Sequence, residues 1–310
     1  MKTIRESYGE ALVELGKDNV DVVVLDADVA ASTRSILFKQ AYPDRFFNLG
    51  IAEGNMVGIA AGLATVGKIP FVNTFAFLMA LRAADPVRSL IAYNALNVKL
   101  AGAYGGFSDS YDGASHQSVE DVSIMRTLPN MTVIVVSDEF QARKAVFAIA
   151  AYDGPVYLRL SRNEVPPIYN AGITYTIGKG IILREGSDAT IIANGYMVTK
   201  ALEASELLGR EGIKIDVIDM HTVKPIDTKL ILQSVRKTGA VVTVEEHSIY
   251  GGLGSAVAEV LGAGCPAPLE VLGIRDVFGE SGAYEAILSK HGLDKFAVVK
   301  GVKKVIARKK

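Results

Sequence analysis

Along the chain, short runs of β-branched and other apolar residues alternate with longer segments whose apolar positions recur every three or four residues. The first helix predicted in this way is Thr3–Leu15, where Ile4, Tyr8, Ala11, Leu12 and Leu15 fall on one face. The Val-rich run Asp21–Leu25 lacks polar alternation, which suits a strand covered on both faces. Further strands are predicted at Arg45–Asn48, Ile69–Asn73, Val98–Ala101, Thr132–Val136 and Val156–Arg159. Helices at about 52–66, 76–94, 118–126 and 139–152 fill the gaps.

The alternation breaks at Asn163–Ile177, which holds Pro166–Pro167 and little periodicity and reads as an interdomain linker. It restarts with strands at Ala189–Ala193, Ile215–Asp219, Ala240–Glu245 and Leu269–Gly273. Helices Met197–Glu211, Asp227–Thr238 and Gly254–Leu261 separate them. This order predicts an α/β chain of two domains, each a mostly parallel sheet wrapped by helices.

Composition narrows the function. With 49% hydrophobic residues in 310, the chain has ample core and is not disordered. Its 33 basic and 34 acidic residues nearly cancel and are evenly spread, which argues against nucleic acid or a membrane surface as partner. The one local excess, Lys303 to Lys310, reads as a solvated end. A single cysteine, Cys265, excludes an internal disulfide and a cysteine-based metal cluster. Met1–Asn19 lacks the apolar core of a signal peptide, and the apolar stretch Met56–Gly67 is too short to span a bilayer, so a cytoplasmic location is expected. The positive mean hydropathy, +0.26, suggests apolar surface covered by another subunit.

Ligands of open parallel sheets gather at the carboxyl ends of the strands. Three loops there stand out: Asp26-Ala27-Asp28 with the following Ser32-Thr33, the stretch Gly50–Asn55, and the long run Gly102–Gln117. Glu53 opens an otherwise apolar, small-residue helix. It is either a charge complementing the helix dipole or a buried carboxylate bonded to a cofactor. His116, beside Asp112 and Gln117, is either a solvated loop histidine or a functional one, and the length of its loop weighs toward function. The glycine cluster 250–254 lacks the third small residue of a dinucleotide fingerprint, since Val257 stands there, and reads as a tight strand–helix turn.

Four segments, NLGIAEGNMVGIAAGLA, FVNTFAF, DGASHQSVEDVSIMRTLPNMTVIVVSD and LRLSR, together resemble the C-terminal half of transketolases. The later ANGYMVTKALEASELL and VVTVEEHSIYGGLGSAVAEVL extend the resemblance to the family's last domain. Parts are shared with deoxyxylulose-phosphate synthase and with the β subunit of 2-oxo-acid dehydrogenases. The resemblance implies a pyrimidine-binding domain at 1–165, a linker at 166–177 and a transketolase C-terminal domain at 178–310. The GDG motif of the family's diphosphate-binding domain does not occur in the chain. A split enzyme is therefore implied, with an N-terminal partner subunit that carries that domain and a divalent metal, Mg or Ca. The cofactor would be thiamine diphosphate, shared across a heterotetramer in which this chain also self-associates.

Residue by residue, the resemblance implies that Glu53 hydrogen-bonds the cofactor's aminopyrimidine and thereby sets up deprotonation of the thiazolium carbon. Phe75 would stack on the pyrimidine, with Phe77 as a neighbour or plain core. Asp28 would lie near the thiazolium, and Ile51 joins the cofactor set. Asp112 and His116 would bond sugar hydroxyls, with His116 also catalytic. Ser32 and Arg162 would hold a substrate phosphate, and Arg82 matches a substrate arginine of the synthase relative, with Arg88 a helical alternative. One departure is Tyr104, which stands where many transketolases have a histidine. It is followed by Phe107-Ser108-Asp109-Ser110-Tyr111, so the sugar pocket differs from the usual one. The implied activity is ketol transfer from a ketose phosphate to an aldose. The alternatives are 2-oxo-acid decarboxylation and a non-catalytic subunit of the same fold.

Overall fold

The computed structural model describes residues 2–309; Met1, and Lys310 at the end of the basic tail, lie outside the described residues. The first helix, Ile4–Asp18, starts where Thr3 and Glu6 satisfy each other's backbone N–H groups reciprocally, a capping arrangement worth about 1 kcal/mol. Its apolar face, with Ile4, Tyr8 and Leu12 fully buried, packs on the first sheet and on the helix Glu139–Ala151.

That sheet is built from β1 (Val22–Asp26), β2 (Phe46–Asn48), β3 (Ile69–Phe75), β4 (Lys99–Ala103), β5 (Thr132–Val135) and β6 (Val156–Leu160). They lie parallel in the order β5-β6-β4-β3-β1-β2. The second half contributes β7 (Ile181–Arg184), β8 (Ala189–Ala193), β9 (Ile215–Asp219), β10 (Thr222–Lys224), β11 (Val241–Ser248) and β12 (Leu269–Ile274). Its sheet runs β12-β11-β8-β9-β7, parallel except for β7. The predicted α/β class with two mostly parallel sheets is what the chain adopts.

Register places the site. Asp26 pairs with Asn73, Phe75 with Ala103, and Ala103 with Leu160. The strands β1, β3, β4 and β6 therefore end at one level, and the loops holding Asp28, Phe77, Tyr104 and Arg162 leave the same edge.

Several elements depart from the periodicity-based expectations, among them the unexpected helices Ile36–Ala41, Tyr284–Lys290 and Lys295–Ile306. The segment expected as one helix over 76–94 is split by wide turns, in which Ala83 N–H bonds Leu78 O and Tyr93 N–H bonds Arg88 O. Five-residue spacing and the central Pro86 break the ordinary ladder there. The helix expected from Ser118 begins at Asp121, because Ser118 exchanges both backbone hydrogen bonds with Gly106 and pins the long loop. The edge strand β7 was not expected, although it carries the short apolar run Ile181-Ile182-Leu183. β10 is three residues long and belongs to the other sheet, where it pairs antiparallel with β5. The second half thus lends a strand to the first. By contrast, the turn at 250–254 is as expected: Glu245 accepts from the N–H groups of Leu253 and Gly254 and caps the following helix.

Candidate active site

Most of the residues singled out from sequence fall into three groups at the carboxyl edge of the first sheet. The first is built on Glu53, the first residue of the helix Glu53–Thr65. Its side chain has no exposed surface, yet neither carboxylate oxygen accepts a hydrogen bond. Among the described residues its ion-pair partner is Arg82, with Nη1 3.5 Å from Oε2 and its own side chain mostly exposed. A buried carboxylate without hydrogen bonds is costly, by about 1–3 kcal/mol or more. Simple dipole complementation would leave such a carboxylate solvated. Ile51, two residues earlier, is 73% exposed, and Arg88 is exposed too.

The second group is aromatic. Phe75, at the end of β3, stacks on Tyr104 at 4.8 Å and 14°. The His116 ring stands edge-on to both Phe75 and Phe77, with centroids 5.8 and 5.9 Å apart. His116 Nδ1 lies 3.0 Å from Ser115 Oγ. Both phenylalanines are half-buried, so Phe77 is not plain core; it forms a wall beside the histidine. Tyr104 holds φ +64°, a left-handed conformation that directs the ring onto Phe75.

The third group is charged. Arg162 lies over the Tyr104 ring at 5.1 Å, is ion-paired with Asp109 and stands 3.9 Å from Asp112. Asp109 is fully buried, and its Oδ2 accepts no hydrogen bond. Burial pushes its carboxyl up, against the pull of Arg162 and with the push of Asp112. Asp112 itself is exposed. Arg5 completes the group: its Nη1 donates to Tyr104 Oη and to the carbonyl of Ser32, both at 2.8 Å. Burial lowers the Arg5 guanidinium from its ordinary value. Asp28, left-handed at φ +66°, points outward and accepts from Asn48 Nδ2 at 2.8 Å. It touches none of the three groups directly but leaves β1 beside the Ser32 turn.

Arg5 and Asp109 were not among the residues expected from sequence. A cation in the first turn of a helix opposes the dipole, and that local misfit was the available signal for Arg5. Asp109 was noted only within the run after Tyr104 that departs from the usual pattern, since its pairing with Arg162 appears only once the folded loop buries it.

Two parallel α/β layers, with one edge gathering a buried glutamate, stacked aromatics and paired arginines, define a class that family comparison names. Residues 1–167 match the transketolase pyrimidine-binding domain and residues 178–298 the transketolase C-terminal domain. The chain belongs to the transketolase family and corresponds to its C-terminal section. It is 45% identical over 306 residues to a 6-deoxy-6-sulfo-D-fructose transketolase subunit of Clostridium sp., covering 99% of this chain and 95% of the relative. Against human transketolase the identity is 37% over 98% of this chain, which spans 49% of that enzyme. A solved split-gene transketolase, described as an inactive β4 tetramer, superposes with TM-score 0.92 at 51% identity, covering 99% of each chain. The Campylobacter jejuni transketolase shares the fold at TM-score 0.83 and 23% identity, over 97% of this chain and 46% of that one.

Proposed function

We propose that the chain is the C-terminal subunit of a two-subunit transketolase that moves a two-carbon ketol group from a ketose phosphate to an aldose acceptor. The observation that carries this reading is the buried Glu53 carboxylate, which accepts no hydrogen bond among the described residues. Such a group suits a nitrogen heterocycle laid against it: in a dry setting one strong hydrogen bond to a ring nitrogen offsets its desolvation. Thiamine diphosphate, the family's cofactor, supplies when bound the nucleophilic carbon that takes up the ketol unit. Phe75 and Phe77 offer apolar faces to its pyrimidine, and Ile51 and Asp28 flank the approach. The partner subunit would hold its diphosphate and a divalent metal, Mg or Ca.

The chain's own residues then orient the sugar. His116 and Asp112 bond hydroxyls, with His116 placed to pass a proton at the reacting carbonyl oxygen. Arg162, Arg5 and Ser32 face the anionic end, where a planar guanidinium can bind two oxygens at once. Tyr104 braces both arginines, and Asp109 offsets part of their charge. Arg82 serves Glu53 by its proximity. The inactive β4 assembly described for the similar split-gene transketolase supports a requirement for the partner.

The test is to co-purify the chain with its diphosphate-binding partner and assay ketol transfer from a pentulose phosphate. Transfer that disappears in Glu53→Ala supports the reading. Near-normal transfer in that variant defeats it. Carbon dioxide release from pyruvate without ketol transfer would favour the dehydrogenase alternative, and neither activity would favour a non-catalytic subunit.

A further inference from the structure

The long loop 102–117 carries Tyr104, Asp109, Asp112 and His116, yet it is anchored to the second domain at several points. Glu246, on β11, reaches across the seam: its Oε1 accepts the Phe107 backbone N–H at 2.6 Å. Its Oε2 accepts from Tyr284 Oη at 2.8 Å, which fixes the carboxylate plane. The approach is close enough that Gly106, at φ +66°, has no room for a side chain; a Cβ there would lie 2.5 Å from the Glu246 carboxylate. Arg159 donates to the Glu246 carbonyl at 3.1 Å and to the Ser118 carbonyl at 2.8 Å, locking strand and loop together.

Further along, the Gly282 N–H donates to Ser110 O at 2.9 Å, and Gln117 Nε2 donates to Glu280 O at 2.9 Å. These bonds bracket the stretch that holds Asp109 and Asp112. The second domain is therefore built into the substrate side of the site, although none of its residues was singled out from sequence.

We propose that Glu246 is a positioning residue for substrate: through the Phe107 amide it sets the loop that presents Tyr104, Asp109, Asp112 and His116. It touches neither cofactor nor sugar. Its loss should loosen sugar binding while leaving the Glu53 region intact. The kinetic part of this inference rests on the transketolase reading, whereas its conformational part does not.

The test therefore has two arms. In the first, hydrogen exchange is followed in the chain alone for wild type, Glu246→Ala, Glu246→Gln and Tyr284→Phe. Glu246→Ala should speed exchange across 105–117 by about tenfold, the loss of one charge-assisted hydrogen bond. Glu246→Gln keeps an acceptor for Phe107 and should return exchange to within about threefold of wild type. In the second arm, the complex with the partner subunit should show the Glu246→Ala KM for the ketose raised about tenfold, with thiamine diphosphate affinity unchanged and Glu246→Gln again rescuing. Unaltered protection of 105–117 in Glu246→Ala, or failure of Glu246→Gln to rescue, overturns the proposal. Should Glu246→Ala not fold, Tyr284→Phe decides: faster exchange in the loop supports the role and unchanged exchange refutes it. A wild-type complex without ketol transfer would sink the functional reading and leave the exchange result to judge Glu246.

Discussion

At the Glu53 face, a fully buried carboxylate accepts no hydrogen bond, and large apolar side chains such as Ile51, Leu81 and Tyr93 stand exposed. At the seam between the two sheets, the opposite holds. Asp121 takes a bidentate pair from Arg159 and a bond from Tyr157, and Asp219 accepts from Ser137, Gln141 and Tyr169. Burial alone would raise Asp121, but Arg159 holds its carboxyl below the ordinary range. The seam spends its charges on holding the chain together. The Glu53 face leaves a buried carboxylate without a hydrogen-bond donor among the described residues.

That contrast predicts opposite signs for the two regions. The largest effect is expected at the first: Glu53→Gln in the partnered enzyme should lose about a thousandfold in turnover. In chemical denaturation of the chain alone the same variant should be as stable as wild type, or more so by about 1 kcal/mol, because a buried carboxylate that accepts no hydrogen bond is removed. A variant clearly less stable than wild type would mean that Glu53 is structural after all.

At the seam, Arg159→Met leaves Asp121 buried without its cation and should cost about 3–5 kcal/mol of stability. Unfolding midpoints near those of wild type would show that the seam is less dependent on the pair than its geometry indicates. Smaller than either is the effect expected of Arg162→Ala. The loss of a charged contact to the anionic end should raise KM for a phosphorylated ketose about 10–100-fold with kcat less affected. A lowered kcat at unchanged KM would move Arg162 from binding to chemistry.

The smallest effect concerns pH. Burial raises Glu246 to about 7 from an ordinary 4.5, with Arg159 opposing, and raises Asp219 to about 6 from 3.8, with its hydroxyl and amide donors opposing. The folded chain therefore holds protons that the unfolded chain has already released. The stability so contributed is complete below the ordinary carboxylate range and is lost as pH rises through about 6 for Asp219 and about 7 for Glu246. The thermal midpoint of wild type relative to Glu246→Gln should fall between about pH 5 and pH 8. A flat difference would show that Glu246 does not titrate there.

The α/β class and most strands were legible because hydrophobic period is a local property. β8 and β9 were expected residue for residue, and β1 within one. Periodicity failed where the determinant was not local. β10 is a strand only because β5 lies beside it, and the 76–94 helix breaks at wide turns that no heptad count reveals. The site followed the same division. Glu53, His116 and Arg162 stood out through loop position and motif. Arg5, Asp109 and Glu246 acquire meaning only from partners 99, 53 and 139 positions away in the chain.

By itself, then, the sequence determined the family, most of the strands and their alternation with helices, and a set of polar loop residues that leave one edge of the first sheet. These follow from side-chain period, turn residues and motif spacing, all readable over a few tens of positions. Tertiary structure alone decided that Glu53 is buried without a hydrogen bond among the described residues, that Asp109 offsets Arg162, and that Glu246 from the second half bonds the loop 102–117. Burial and ion pairing depend on which distant segments meet, and that is settled by packing the two sheets against each other.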